Sequence, residues 1–207
     1  MTIVIINVKA LLFSRAKIPQ RFSSMRISKE KAAENRDRIL KSASRLMRER
    51  GISGVGVDAL TEAAGMTHGS LYSQFGSKER LVEEAVADAI ASKVQELREG
   101  TTLGDYVSQY LSAEHRDDPG RGCPFAALCC EIRYQSNGAR EHFTAGVKGV
   151  VAWLSSRVGK GSKQKRREDQ ALATLSSLVG ALVLARAVND PKLSDDILRA
   201  TRIGLGH

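Results

Sequence analysis

Gly56-Val-Asp-Ala-Leu-Thr-Glu-Ala-Ala-Gly-Met-Thr-His-Gly-Ser-Leu-Tyr-Ser-Gln-Phe-Gly-Ser-Lys-Glu-Arg-Leu81 is the stretch that decides the fold. It reads as helix, tight turn, short helix, and the start of a longer helix. Leu60 and Ala64 are four apart, which places both on one face of a first helix from Val57 to Ala64. Gly65 supplies the left-handed residue that the turn needs. Thr67 is an N-cap for the next helix, ending at Phe75. Within it Leu71 and Phe75 point inward, leaving His68, Gly69, Ser70, Ser73 and Gln74 outward. Gly76 closes that helix and Ser77 caps the following one. A small helix packed on a polar helix is the layout of a helix-turn-helix nucleic-acid reader.

The pattern before this stretch agrees with it. Ile39, Leu40, Ala43, Leu46 and Met47 form one apolar stripe at helical period, predicting a helix over Lys31 to Arg50 that Gly51 ends. Met25 to Arg50 holds nine basic and four acidic residues. The basic residues are either a phosphate-seeking arm or a solvated helix face. After Ser77 a long helix runs from Lys78 to about Arg98, with Leu81, Val82, Ala85, Val86, Ala89, Ile90, Val94 and Leu97 at core spacing. Further helices are predicted over Leu103 to His115, Cys123 to about Gln135, Ala139 to Val158, Arg167 to Asn189 and Leu193 to about Leu205. Ser136-Asn137-Gly138 is read as a break. The chain is therefore all-α: a three-helix head at 25–80 joined to a helical domain at 81–207.

Residues 1–24 read differently. Thr2 to Val8 is apolar and β-branched, and Arg15, Lys17 and Arg21 follow it. The apolar run is too short to span a membrane, and its charges lie on the wrong side for a secretory signal. We expect this leader to lie upstream of a natural start at Met25; a short targeting or tethering tail is the rival reading.

Bulk properties narrow the function. The 207 residues carry 32 Lys and Arg against 23 Asp and Glu, a net charge of +9. That excess favours a polyanion, either a nucleic acid or an anionic membrane surface. The three cysteines are odd in number and clustered, which fits a reducing cytoplasm better than a disulfide framework. The histidines lack metal-ligand spacing. Neither metal nor cofactor is expected.

From Leu60 to Leu81, and back through Arg38-Ile39-Leu40 and Gly51, the chain resembles the TetR family of bacterial transcription regulators. Leu71-Tyr72, Phe75 and Ser77-Lys78 at these offsets from the Ala-Ala-Gly turn carry the resemblance. Gly122-Cys-Pro-Phe-Ala-Ala-Leu128 is similar to a segment of one branch of that family. Gly56, in place of the usual capping residue, is a departure. The resemblance implies a cytoplasmic homodimer with no membrane partner and no enzymatic activity. It implies a repressor on a palindromic double-stranded DNA operator, released by a small-molecule effector.

Residue roles follow from chemistry. The Thr67 and Tyr72 hydroxyls suit phosphate oxygens, although Thr67 serves equally as a cap and Tyr72 as a packed aromatic. His68, Gly69 and Ser70 open the helix that enters the major groove, and Gln74 has the donor–acceptor pair for an adenine edge. Lys78 sits at a helix N-terminus, where the dipole also favours phosphate. Lys29, Lys31 and Arg36 are expected on flanking phosphates. Leu172 to Val188 is apolar nearly all round; with the final helix it is the expected dimer element, against a central core helix. Tyr106, Tyr110, Phe125, Tyr134, Phe143 and Trp153 are the aromatic candidates for a ligand cavity, against plain core. Cys123 opens a helix beside Arg121, which favours a thiolate and suggests a redox or electrophile sensor with Cys129 or Cys130 as resolving partner. The alternative is that these cysteines are plain core. A cysteine enzyme would need His115 or His142 as its base.

Overall fold

A computed structural model describes residues 29–98, 102–159 and 163–206. The leader at 1–24 lies outside them. Among the described residues ten helices follow one another: α1 Lys29–Arg50, α2 Val57–Ala64, α3 His68–Phe75, α4 Lys78–Arg98, α5 Leu103–Tyr110, α6 Ala113–Asp117, α7 Pro124–Ile132, α8 Asn137–Ser155, α9 Gln164–Ala187 and α10 Pro191–Gly204. No strand occurs among the described residues.

The first three helices share one core. Ile39, Ala43, Leu46 and Met47 of α1 bury against Ile52 and Val55, Leu60 and Ala64 of α2, and Leu71 and Phe75 of α3. Gly65 takes φ +63°, and its N–H bonds back to Glu62, so the chain reverses in one residue. Leu81, Val82, Ala85 and Val86 of α4 complete this core, and α4 then runs on to pack against α8. One helix thus belongs to both halves of the molecule.

Capping moved several boundaries. The helix expected over Leu103 to His115 is two, because Ser112 accepts from the His115 N–H at 3.1 Å and starts α6 afresh. Likewise Asn137 and Gly138 begin α8 instead of breaking the chain, since Ser136 accepts from the Ala139 N–H. Asp190 caps α10 through the Leu193 N–H, with Pro191 at the first helical position. α7 ends at Ile132, three residues short of Gln135.

In length and composition α9 would cross a membrane. It instead packs against α6, α7, α8 and α10. Ala171, Leu175, Leu178, Leu182 and Ala185 face inward while Leu172 and Leu184 face out.

Candidate nucleic-acid interface

α3 is held from below and open above. Leu71 and Phe75 are buried, and the Arg36 guanidinium lies 4.3 Å over the Phe75 ring. On the other side Thr67, His68, Gly69, Tyr72 and Ser73 are exposed together. Thr67 caps the helix by accepting from the Ser70 N–H at 3.3 Å. His68 Nε2 stands 2.6 Å from Asp58 Oδ1 of α2, which orients the imidazole. A Cβ at Gly69 would meet nothing within 4 Å, so the fold itself does not demand glycine there. Tyr72 is 48% exposed, so its ring is not core. The Ser73 hydroxyl donates to the Ser70 carbonyl.

Two expected contacts are placed elsewhere. Arg36 does not reach outward: it donates to the Gln74 carbonyl at 2.6 Å and pairs with Glu84 of α4, so it pins the end of α3 to α4. Gln74 is half-buried, and its side-chain Oε1 is enclosed rather than presented to a base edge. The last turn of α3 packs toward α4, and Arg36 of α1 reaches across to both. Lys78 stands half-buried at the start of α4, where Ser77 caps by accepting from the Arg80 N–H. Lys31 is exposed on α1, and the side chain of Lys29 lies outside the described residues.

A second cluster lies between α4, α5, α6 and the 118–122 loop. Tyr106, Tyr110, His115, Lys93, Glu96 and Arg121 line a cleft of about 280 Å³. Trp153 meets Tyr106 edge-on at 5.0 Å, just behind it. Burial pushes both tyrosine hydroxyls up from their ordinary pKa, and the Cys123 thiol adds to the effect. The Tyr110 hydroxyl is enclosed beside that thiol without a well-formed hydrogen bond. Phe125 and Phe143 pack on each other at 5.2 Å as core. Tyr134 is 75% exposed with its ring under Arg133, so it stands on the surface.

Sequence reasoning missed Lys93, Glu96, Glu114 and Asp118 of this cleft. They are scattered over two helices and a loop, with no local pattern to join them.

His115 is fully committed. Nδ1 lies 2.7 Å from the Tyr110 carbonyl and therefore donates, while Nε2 accepts from the Cys123 N–H at 2.9 Å. Burial lowers its pKa, the Tyr110 carbonyl opposes this, and Arg186 and Lys93 reinforce it. A ring with both nitrogens engaged cannot serve the Cys123 thiol as a base. Cys123 itself is only 1% exposed. Arg121 turns away from it to pair with Asp118 at 2.5 Å. Cys129 and Cys130 lie along the same helix, about 9 Å or more from Cys123 at 1.5 Å per residue. That exceeds the span of a disulfide, so they do not resolve Cys123 within a folded chain. Among the described residues no group of three or more His, Cys, Asp or Glu is placed to hold a metal.

Comparison with known proteins adds to this geometry. Residues 39–85 match the family described as bacterial regulatory proteins, tetR family. The chain is 31% identical over 155 residues to the HTH-type transcriptional regulator TtgR of Pseudomonas putida, covering 66% of this chain and 72% of that one. It is 29% identical to an HTH-type transcriptional regulator of Mycobacterium tuberculosis over 81% of this chain and 92% of the relative. Among solved structures, the reduced form of NemR from Escherichia coli superposes with a TM-score of 0.69 at 23% identity, covering 83% of this chain and 95% of that one.

Proposed function

The chain belongs to the TetR family of bacterial transcription regulators, and from that premise we propose that it is a homodimeric, cytoplasmic repressor released from its operator by a small molecule. The observation that carries this reading is the open face of α3. Thr67, His68, Gly69, Tyr72 and Ser73 stand clear of a scaffold made rigid by Leu71, Phe75 and Arg36. Residues 25–80 read DNA in this account, and residues 81–207 bind the effector and the second subunit.

Thr67, Tyr72, Lys78 and Lys31 supply phosphate contacts, and His68 and Ser70 reach base edges. The effector enters the cleft beside Tyr106 and Tyr110. For the dimer, the support is a groove between α9 and α10 lined by Ser176, Ser177, Gly180, Leu184, Thr201 and Gly204. Nothing stands within 4 Å of a Cβ at Gly180, so a partner helix can approach closely there. Leu184 and Ile203 are 57% and 62% exposed, which a subunit alone leaves wet.

Selection of bound sequences from random double-stranded DNA tests the proposal. An inverted repeat with half-sites about one helical turn apart, or slightly more, is the expected result. Recovery of no preferred sequence would sink it.

A thiol sensor is the second reading, and the burial of Cys123 weighs against it. Peroxide treatment is expected to leave operator affinity unchanged. Loss of binding that Cys123→Ser abolishes would restore the sensor.

A further inference from the structure

Two thiols stand together on the outer side of α7. Phe125, Leu128 and Ile132 turn the apolar face of that helix into the core. Cys130 is therefore exposed and Cys129 sits half-buried at the flank, both as free cysteines. Adjacent helical residues point apart, so long side chains at such positions do not meet. Thiols are short enough to stay close: the two Sγ atoms lie 3.8 Å apart. Neither cysteine lines the cleft.

That spacing selects a chemistry. A disulfide needs Cα atoms about 4.4–6.8 Å apart, and successive Cα atoms stand at about 3.8 Å, so direct oxidation of the pair is disfavoured. One bridging atom fits far better. With sulfur bonds of about 2.3 Å, the length in zinc thiolates, a centre bonded at between about 90° and the tetrahedral angle separates two sulfurs by about 3.3–3.8 Å. A linear two-coordinate ion needs about 4.6 Å. A four-coordinate ion needs two further ligands, and among the described residues no third His, Cys, Asp or Glu joins the pair. Glu131, the nearest carboxylate in sequence, is taken. It accepts from the Ile52 N–H at 3.1 Å and the Ser53 N–H at 2.7 Å, beside Gly51. The centre must therefore be angular, thiophilic and complete with two protein ligands. Trivalent arsenic carrying one organic group meets all three conditions, since it is pyramidal and brings its own third substituent.

We propose that Cys129 and Cys130 form a chelating dithiol that captures monosubstituted trivalent arsenic compounds. The step is a condensation. An R–As(OH)2 group loses both As–O bonds and gains two As–S bonds. Each thiol proton leaves on a hydroxide, giving two waters, and neither arsenic nor sulfur changes oxidation state. Burial pushes the Cys129 thiol up, and the neighbouring Cys130 adds to it, so Cys129 enters the condensation as a thiol. The site needs no DNA and stands independently of the regulator reading.

The test is phenylarsine oxide on the reduced full chain, read by intact mass under native conditions. One phenylarsenic group per chain should bind, with loss of two hydrogens from the protein. Ethanedithiol should remove it, and the same concentration of thiol supplied as mercaptoethanol should not. Because the second bond closes within the chain, Cys129→Ser and Cys130→Ser should each weaken binding by about a hundredfold or more. Cys123→Ser should bind as the wild type does, since Cys123 is 1% exposed. Binding that survives in Cys130→Ser, that disappears in Cys123→Ser, or that mercaptoethanol reverses overturns the chelate. Thermal melting of each variant checks that it folds; should Cys129→Ser fail to fold, Cys130→Ser, at the exposed position, decides alone.

Discussion

Gly69 stands at the second position of α3 with open space around it. Replacing it by alanine gives a better helix former in a site that accepts a Cβ, so stability should hold or rise by roughly 0.5–1 kcal/mol. If the backbone there abuts the duplex, the added methyl forces it away. Gly69→Ala is therefore expected to melt at the wild-type temperature or above while losing about tenfold or more in operator affinity. Equal affinity in a titration would show that α3 docks elsewhere.

His115 supplies a second test at this scale. Burial holds the folded imidazole below its ordinary value of 6.5. The unfolded chain thus takes up a proton first as pH falls. The contribution to stability is complete above 6.5 and is lost as pH falls through the lower folded value. The melting midpoint should drop as pH falls below about 6.5, and the drop should shrink in His115→Asn. His68, Gly69 and Ser73 were legible as exposed from helical spacing alone. The engagement of both His115 nitrogens was not, because their partners come from a carbonyl and an N–H that no side-chain pattern encodes.

At the scale of elements, Arg36 shows what periodicity leaves out. It occupies a basic helix of net positive charge, which invites a phosphate contact. The packing of α1 on α4 instead gives it the Gln74 carbonyl, Glu84 and the face of Phe75. Two consequences separate the readings. Arg36→Met should destabilise the head by about 1–3 kcal/mol, the cost of leaving its partners unmatched. It should weaken operator binding without changing the slope of log affinity against log salt. Lys78→Gln should leave the melt alone and lower that slope by about one, as one released counterion is lost. A reduced slope for Arg36→Met would return that arginine to the DNA.

The division of Leu103–His115 into α5 and α6 has the same kind of origin. Its spacing supports one helix, but the Ser112 hydroxyl captures the His115 N–H and restarts the chain. That turn carries His115 against Tyr110, so a local cap builds one wall of the cleft.

In the whole molecule the exposed Leu184 of α9 and Ile203 of α10 lie far along the chain from the head, yet a dimeric DNA reader depends on them to pair two copies of α3. Leu184→Glu with Ile203→Glu removes two apolar side chains per subunit. By two-fold symmetry that costs about 3 kcal/mol or more, over a hundredfold in dissociation constant. Sedimentation should find folded monomers, and operator binding should fall with them. Dimers that persist would place the interface elsewhere.

From the amino-acid sequence alone, the all-helical class, the turn at Gly65 and the open face of α3 follow, because caps, glycine conformations and apolar period act within a few residues of one another. The inward turn of Arg36, the commitment of His115, the seat of Glu131 on Gly51–Ser53 and the cleft they frame came only from the tertiary structure. Each joins groups from separate helices, most of them dozens of residues apart, and which of many polar groups meet is set by how the apolar stripes dock.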